Sequence, residues 1–337
     1  MLPDHGELAA DLRGAGIEVL VRPLAVLRRS LMSPRGISRV GAAWASDAGG
    51  LGRVARARDV ALVHTNTSVT LGGAAAARLA GVPHVWHVRE IYSGFDRWFP
   101  AYRRLLLTAD ALPCVSHATC EQFGGAQAAF VLHDGLAFEP QPLDRAAARA
   151  ELGLPPDAFV CAVLGRISDW KGQDLLVRAL ADLPDAVGLI AGAPWRGEER
   201  HLRELHQLAD RLGVGRQLHE IGELPSPQLA YAAADVVVVP SKQPDPLPNA
   251  ALEAAAHGCC VVGANHGGIP EIIRNDETGL LFEPGDTAGL ASLLTSLEGA
   301  PERREQLGQA AASDVRARFS RAALLDATQS LYDRLLN

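Results

Sequence analysis

The sequence predicts an α/β protein built from two doubly wound domains, each around a parallel sheet, and three observations carry that expectation. Short apolar runs alternate with helical stretches along most of the 337 residues, and such alternation places parallel strands in a sheet with helices on its faces. A proline-rich stretch, Glu139-Pro140-Gln141-Pro142-Leu143, interrupts the pattern, which then restarts. The length also suffices for two domains of ordinary size, each with its own core. Ligands of sheets wound this way lie beyond the strand C-termini, and a facing pair encloses a cleft.

In the first half the strand-like runs are Gly16 to Val21, Val60 to His64, His84 to Val88, Ala111 to Val115 and Ala129 to Leu132. Helices fall between them at Gly72 to Leu79, at Ala101 to Thr108 and, briefly, from Ser116. After the prolines come a short helix and Leu154-Pro155-Pro156, so 143–157 reads as a linker. It would join a domain over 1–142 to one over 158–317, with a C-terminal helix over 318–337 returning toward the first. The second half gives strands at Phe159 to Leu164, Val187 to Ala191, Gln217 to Ile221, Val236 to Val239 and Cys260 to Gly263. Its helices are Gln173 to Ala181, Glu198 to Leu212, Ser226 to Ala233 and Asn249 to His257.

Hydrophobic residues at 48% and charged residues at 21% are values of a globular chain rather than a disordered one. No apolar run reaches the ~20 residues that span a bilayer, and Met1-Leu2-Pro3-Asp4-His5-Gly6-Glu7 has neither the basic start nor the apolar run of a secretory signal. Five scattered cysteines, with no CxxC pair and no zinc spacing, predict reduced thiols, a cytoplasmic protein and no metal site. The net charge of −7 divides unevenly, about +3 over 1–150 and −10 over the rest. Arg28, Arg29, Arg35 and Arg39 stand among Leu24, Leu27, Leu31, Ile37 and Trp44. They read either as a solvated loop with ordinary surface arginines or as an amphipathic patch touching the inner face of a membrane. An acidic chain without a basic, aromatic-studded stripe predicts no nucleic-acid partner.

The most informative segment is Pro240-Ser241-Lys242-Gln243-Pro244-Asp245-Pro246-Leu247-Pro248-Asn249-Ala250-Ala251-Leu252-Glu253. An apolar strand runs into it and a helix runs out, the arrangement by which open α/β sheets bind phosphorylated ligands. Pro248 suits a first helical turn, which leaves the amides of Asn249 and Ala250 for a phosphate. Glu253 is placed to chelate vicinal ribose hydroxyls. Asp245 is placed either for sugar hydroxyls or to offset the helix dipole. Phosphates and hydroxyls together describe a nucleotide-sugar.

Gly165-Arg166-Ile167-Ser168-Asp169-Trp170-Lys171-Gly172 follows another strand. Arg166 and Lys171 are either two surface cations or a clamp for a departing pyrophosphate, and their place at a strand C-terminus favours the clamp. In Asn265-His266-Gly267-Gly268-Ile269-Pro270-Glu271 the paired glycines allow a backbone to approach a ligand closely; a plain turn with a helix-capping acid is the other reading. The first half has two polar strand ends, His64-Thr65-Asn66-Thr67-Ser68 and His87-Val88-Arg89-Glu90.

Together these motifs resemble the retaining glycosyltransferases of family 4, which have the GT-B fold of two Rossmann-like domains. The resemblance covers nearly the whole chain. It is strongest from Gly165 to Glu283, where Gly-Arg…Lys-Gly, Ala234-Asp235…Pro240-Ser241, acid-x7-Glu, Gly267-Gly268…Glu271 and Thr278-Gly279-Leu280 stand in family order. It implies that Arg166 and Lys171 hold the donor diphosphate, Asp245 the transferred sugar and Glu253 the ribose. Gly165, Asn249, Ala250, Gly267 and Gly268 would line the donor site, and Gly222-Glu223-Leu224 would pack the base. His87 would contact the sugar near the reacting carbon, from a first domain that serves the acceptor. The implied reaction is sugar transfer from a nucleoside-diphosphate sugar, with retained configuration, to a glycan or lipid-linked acceptor, as in polysaccharide biosynthesis. The donor is a co-substrate; no cofactor, metal or separate protein base is implied. The chain contains no Asp-x-Asp pair, which disfavours the metal-dependent GT-A alternative.

The chain departs from the family at three places. Asp245 stands where the family has Glu, and Leu247-Pro248 where it has Phe-Gly. The opening strand, Gly-Gly loop and helix that precede the family segment resembling Leu2–Leu8 are not in this sequence, which implies a shortened first sheet. Two other readings stay open: a nucleotide-sugar epimerase using His87 with Glu90, and a non-catalytic module of the same fold.

Overall fold

The computed structural model describes residues 1–27, 34–94, 97–136, 138–141 and 143–337, without the side chains of Pro34 and Ile37. The chain forms two compact units, one of Met1–Val115, Cys120–Leu132 and Ala327–Asn337, the other of Ser116–Thr119 and His133–Asp326.

The first unit contains, in order, α1 (Glu7–Gly14), α2 (Pro34–Ala57), β1 (Val63–Thr65), α3 (Gly72–Ala80), β2 (His84–Trp86), α4 (Phe99–Leu106), β3 (Leu112–Cys114), the end of α5 (His117–Glu121), and β4 (Ala129–Val131). Strand β1 pairs in parallel with β2, and β3 with β4. Parallel bridges Val85–Ala111 and Val88–Cys114 connect the pairs into four short strands in the order β1-β2-β3-β4. One face carries a core of Trp86, Val88, Tyr102, Leu106, Leu112 and Phe123. The other packs Val85 and Ala111 against Leu331 near the C-terminus.

One strand expected in this unit is absent, and one segment read as a loop or a patch is partly helical. Gly16 to Val21 forms no strand; it contributes one parallel bridge, Leu2 to Val21. Of the segment read as a solvated loop or an amphipathic arginine patch, Arg35, Arg39 and Trp44 lie on the 24-residue helix α2. Five glycines (36, 41, 49, 50 and 52) hide it, since each costs a helix about 1 kcal/mol relative to alanine. Packing explains Gly52, together with Gly72 of α3; Gly41 and Gly49 face open space. A Cβ on Gly72 would lie 2.9 Å from the Asp47 Cβ, and one on Gly52 would lie 3.0 Å from the Leu79 Cβ, so glycine lets α2 and α3 approach closely. Arg35 and Arg39 are exposed on α2. Arg28, Arg29 and Leu31 lie outside the described residues, as do the Ile37 side chain and Pro142.

The second unit continues with α6 (Arg145–Glu151), β5 (Phe159–Leu164), α7 (Gln173–Ala179), β6 (Ala186–Ala191), α8 (Arg200–Leu212), β7 (Leu218–Gly222), α9 (Gln228–Ala233), β8 (Val236–Val239), α10 (Asn249–Ala256), β9 (Cys260–Ala264), α11 (Ile269–Ile272), β10 (Leu280–Phe282), α12 (Thr287–Glu298), α13 (Pro301–Arg318) and the start of α14 (Arg321–Leu336). All six strands are parallel, in the order β10-β9-β8-β5-β6-β7. Strands β5 and β8 are wholly buried, as expected of central strands covered on both faces. Strand order reverses at β5 and β8, and the crevice beyond their C-termini is where such sheets bind ligands.

The segment 143–157 is not a free linker. It belongs to the second unit, where Arg149 is 4% exposed. The Arg149 guanidinium donates to Asp235 at 2.7 Å, to the Ala233 carbonyl at 3.0 Å and to the Pro156 carbonyl at 2.5 Å. Asp235 also meets Arg145 at 2.9 Å and Arg304 at 3.7 Å, and accepts from the Val160 amide at 2.8 Å. This cluster joins α6 and α13 to the starting ends of β5 and β8, and its cations satisfy a carboxylate that burial would otherwise make costly. No helix among the described residues is long and apolar enough to cross a membrane.

Candidate functional site

The loops after β5, β6 and β7 are stitched together by backbone hydrogen bonds. The Gly165 amide donates to Ala191 at 2.9 Å, Ile167 to Ala193 at 3.1 Å and Gly192 to Gly222 at 2.7 Å. Close approach dictates the residue at 192: φ is +143°, and a Cβ there would lie 2.1 Å from the Gly165 carbonyl oxygen. These loops and the start of α10 enclose a cavity of about 570 Å³. Its walls bring together Gly165, Arg166, Leu224, Asn249, Ala250 and Glu253 from the sequence expectation. Gly222 supports this floor through its carbonyl.

Helix α10 begins after Pro248, so Asn249 and Ala250 offer first-turn amides that no carbonyl within the helix can reach. One turn on, Glu253 accepts a hydrogen bond from the Tyr231 hydroxyl at 2.8 Å. Burial raises the Glu253 pKa, and the Tyr231 bond opposes that rise only in part. Tyr231 is itself 2% exposed, so the carboxylate is fixed by a packed ring.

Lys171, Asp245, Gly267 and Gly268 form a second cluster. Lys171 Nζ lies 2.6 Å from Asp245 Oδ2, with Asp245 buried. Lys171 also sits over the Trp170 ring, 4.4 Å from its centroid. The Gly268 amide donates to the Asp245 carbonyl at 2.8 Å. Gly267 has φ +59°, and a Cβ on Gly268 would lie 2.1 Å from the Pro246 carbonyl oxygen. The glycine pair therefore serves first the close packing of two loops. His266 Nε2 reaches the Ser241 carbonyl at 2.7 Å, tying the same loops again.

Glu271 is a helix-capping acid, but for α5 rather than for the helix it opens. Its carboxylate accepts from the amides of His117 and Ala118 at 2.8 and 2.9 Å, and lies 3.0 Å from His133 Nε2. It thus caps α5. Burial raises its pKa, but the bonds from His133, Ala118 and His117 outweigh burial, and the net shift is downward.

His87 belongs to the first unit, where it is buried with its ring 5.6 Å from that of His64. Its amide donates to Thr65 at 2.9 Å. The neighbouring Glu90 carboxylate accepts from the hydroxyls of Thr67 and Ser68, and from the Ser68 amide at 3.1 Å.

Sequence reasoning missed Gly192, Trp195, Arg196 and Tyr231 on the cavity. Ala191-Gly192-Ala193-Pro194 directly after a strand was the available signal for the first two, since glycine and proline mark a loop of fixed geometry. Tyr231 lies on a helix otherwise made of core residues, and nothing in its spacing sets it apart.

The family model described as glycosyl transferases group 1 matches residues 144–314. D-inositol 3-phosphate glycosyltransferase 1 of Catenulispora acidiphila is 33% identical over 288 residues, 77% of this chain and 68% of the relative. D-inositol 3-phosphate glycosyltransferase of Mycobacterium sp. strain KMS is 39% identical over 170 residues, 50% of this chain and 38% of its own length. A second Catenulispora acidiphila relative is matched over 47% of its length, so the chain spans about half or less of two of these three. Anabaena Alr3699/HepE in complex with UDP superposes with a TM-score of 0.83 at 25% identity, over 98% of this chain and 92% of that one. Sucrose-phosphate synthase from Thermosynechococcus elongatus superposes at 0.77 and 23% identity, over 95% and 85%. The parallel α/β architecture of these chains is the GT-B fold.

Proposed function

The chain belongs to the group 1 glycosyl transferases, and from that membership we propose that it transfers a sugar from a nucleoside-diphosphate sugar to a hydroxyl acceptor with retained configuration and without a metal. The observation that carries this reading is the cavity at the β5/β8 switch point, which gathers a guanidinium, helix-start amides and a fixed carboxylate. Arg166 and the amides of Asn249 and Ala250 are suited to the diphosphate, and Glu253 to the ribose hydroxyls. Glu223 and Leu224 line the side available to the base. Lys171 and Asp245 are assigned to the leaving phosphate and the transferred sugar.

In the proposed reaction the bond from the anomeric carbon to the β-phosphate oxygen breaks as the acceptor oxygen bonds on the same face. The acceptor proton passes to the departing phosphate, so no protein base is needed. Fixed positive charge at that phosphate stabilises the charge that develops there. The complex of Alr3699/HepE with UDP supports uracil as the first base to test. The acceptor is proposed to be a glycan or a lipid-linked saccharide. The names of the curated relatives make inositol 3-phosphate the second acceptor to test. Exposed Arg35 and Arg39 support contact with an anionic membrane face.

The epimerase reading draws no support from Glu90, whose carboxylate is held by Thr67 and Ser68. The test is incubation with radiolabelled nucleotide-sugars, with and without acceptors. Free nucleoside diphosphate should appear in step with a glycosylated acceptor, at an unchanged rate in EDTA. An isomerised donor, or donor binding without turnover on any acceptor class, would overturn the proposal.

A further inference from the structure

Trp195 is the large apolar side chain that the cavity leaves in the open. It is 57% exposed, on the loop that follows β6. The Arg166 guanidinium carbon stands 4.7 Å from its ring centroid. We propose that Trp195 is a positioning residue for Arg166, holding its guanidinium over the cavity so that its charge stays available to a diphosphate. This rests on the donor reading given above and adds to it the device that keeps the cation in place.

The argument begins with what Arg166 does not touch. Its side chain makes no ion pair among the described residues, whereas Lys171 is paired with Asp245, and Arg149 and Arg145 with Asp235. A carboxylate would fix an arginine but cancel its charge. An aromatic face attracts a cation through its quadrupole and leaves the net charge intact. The backbone is built to keep the two together. Ile167 donates to Ala193, Gly165 donates to Ala191, and glycine at 192 permits the loops to touch. Pro194, directly before Trp195, restricts the chain at the point where the ring leaves it. Both residues line the cavity.

The test is calorimetry with UDP, GDP, ADP and dTDP, taking the tightest binder forward together with its nucleoside. Trp195→Ala should weaken diphosphate binding about two- to fivefold, and Trp195→Phe should restore most of it. Arg166→Ala should weaken it about tenfold or more. The double variant should bind no more weakly than Arg166→Ala alone, because the ring acts through the guanidinium. Affinity for the nucleoside should be the same in wild type and Trp195→Ala. Additive losses, unchanged diphosphate binding in Trp195→Ala, or equal loss for nucleoside and diphosphate would each overturn the proposal, the last by making the ring a platform for the base. A wild-type protein that binds none of the four diphosphates overturns the donor reading and this one with it. Thermal melts of the variants should match wild type, since the ring is largely exposed.

Discussion

Lys171 Nζ and Asp245 Oδ2 stand 2.6 Å apart, so the cation proposed for the phosphate and the carboxylate proposed for the sugar neutralise each other before any ligand arrives. A buried or half-buried pair of this kind costs more to break on one side than to remove whole. Lys171→Ala should therefore lower stability by about 1–3 kcal/mol, the cost of an unsatisfied buried polar group, and Lys171→Met with Asp245→Asn should recover most of it. Urea unfolding measures this. Neither variant should recover donor turnover, and a double variant no more stable than Lys171→Ala would contradict the coupling.

Glu253 gives a prediction of opposite sign. Its pKa is raised by burial, so the unfolded chain ionises it more readily and it weakens the fold as pH rises through the range between the two pKa values. Glu253→Gln should melt at or above wild type at neutral pH, the amide oxygen still accepting from Tyr231. Calorimetry should show weaker binding of the nucleoside diphosphate, with the loss much reduced for its 2′-deoxy form. Equal losses for both forms would remove Glu253 from the ribose.

His84 should make the first unit acid-sensitive. Burial pushes its pKa down to about 4, with Asp110 opposing and His64 adding to the shift. The unfolded value is 6.5, so between pH 6.5 and 4 the unfolded chain binds the extra proton, and stability falls as pH falls through that window. The loss should amount to roughly 3 kcal/mol across it. His84→Gln, which can keep a bond to Thr65, should flatten the pH dependence of the unfolding midpoint over this interval.

Gly192→Ala should damage the site more than its size implies. The residue sits at φ +143° with the Gly165 oxygen 2.1 Å from any Cβ, so the loops after β5 and β6 must part. Strain of this kind costs of order 1–3 kcal/mol. Donor affinity should fall along with the melting temperature, whereas Gly299→Ala, with open space around it, should change neither.

The second unit was legible almost strand by strand, because buried parallel strands such as Val236–Val239 are unbroken apolar runs between loops. The first unit was less so. Its strands are three residues long, too short for periodicity to register, and α2 owes its existence to packing that glycines permit rather than to propensity. Arg166 and Glu253, singled out by the charged motifs, both line the cavity. Those motifs could not show that Lys171 and Asp245 pair, or that Glu271 caps α5, because both contacts join residues far apart in the chain.

Beneath the cavity the loops meet main chain to main chain, the Gly165 amide on the Ala191 carbonyl and the Gly192 amide on the Gly222 carbonyl. Bonds between backbone groups do not depend on side-chain identity, so these loops behave as a fixed chassis. Diversification of the donor preference is then expected on the walls, at Arg196, Glu223 and Leu224. Libraries confined to those three positions should retain folding while sampling new nucleotides, and this division of labour makes the second unit a ready scaffold for reprogramming.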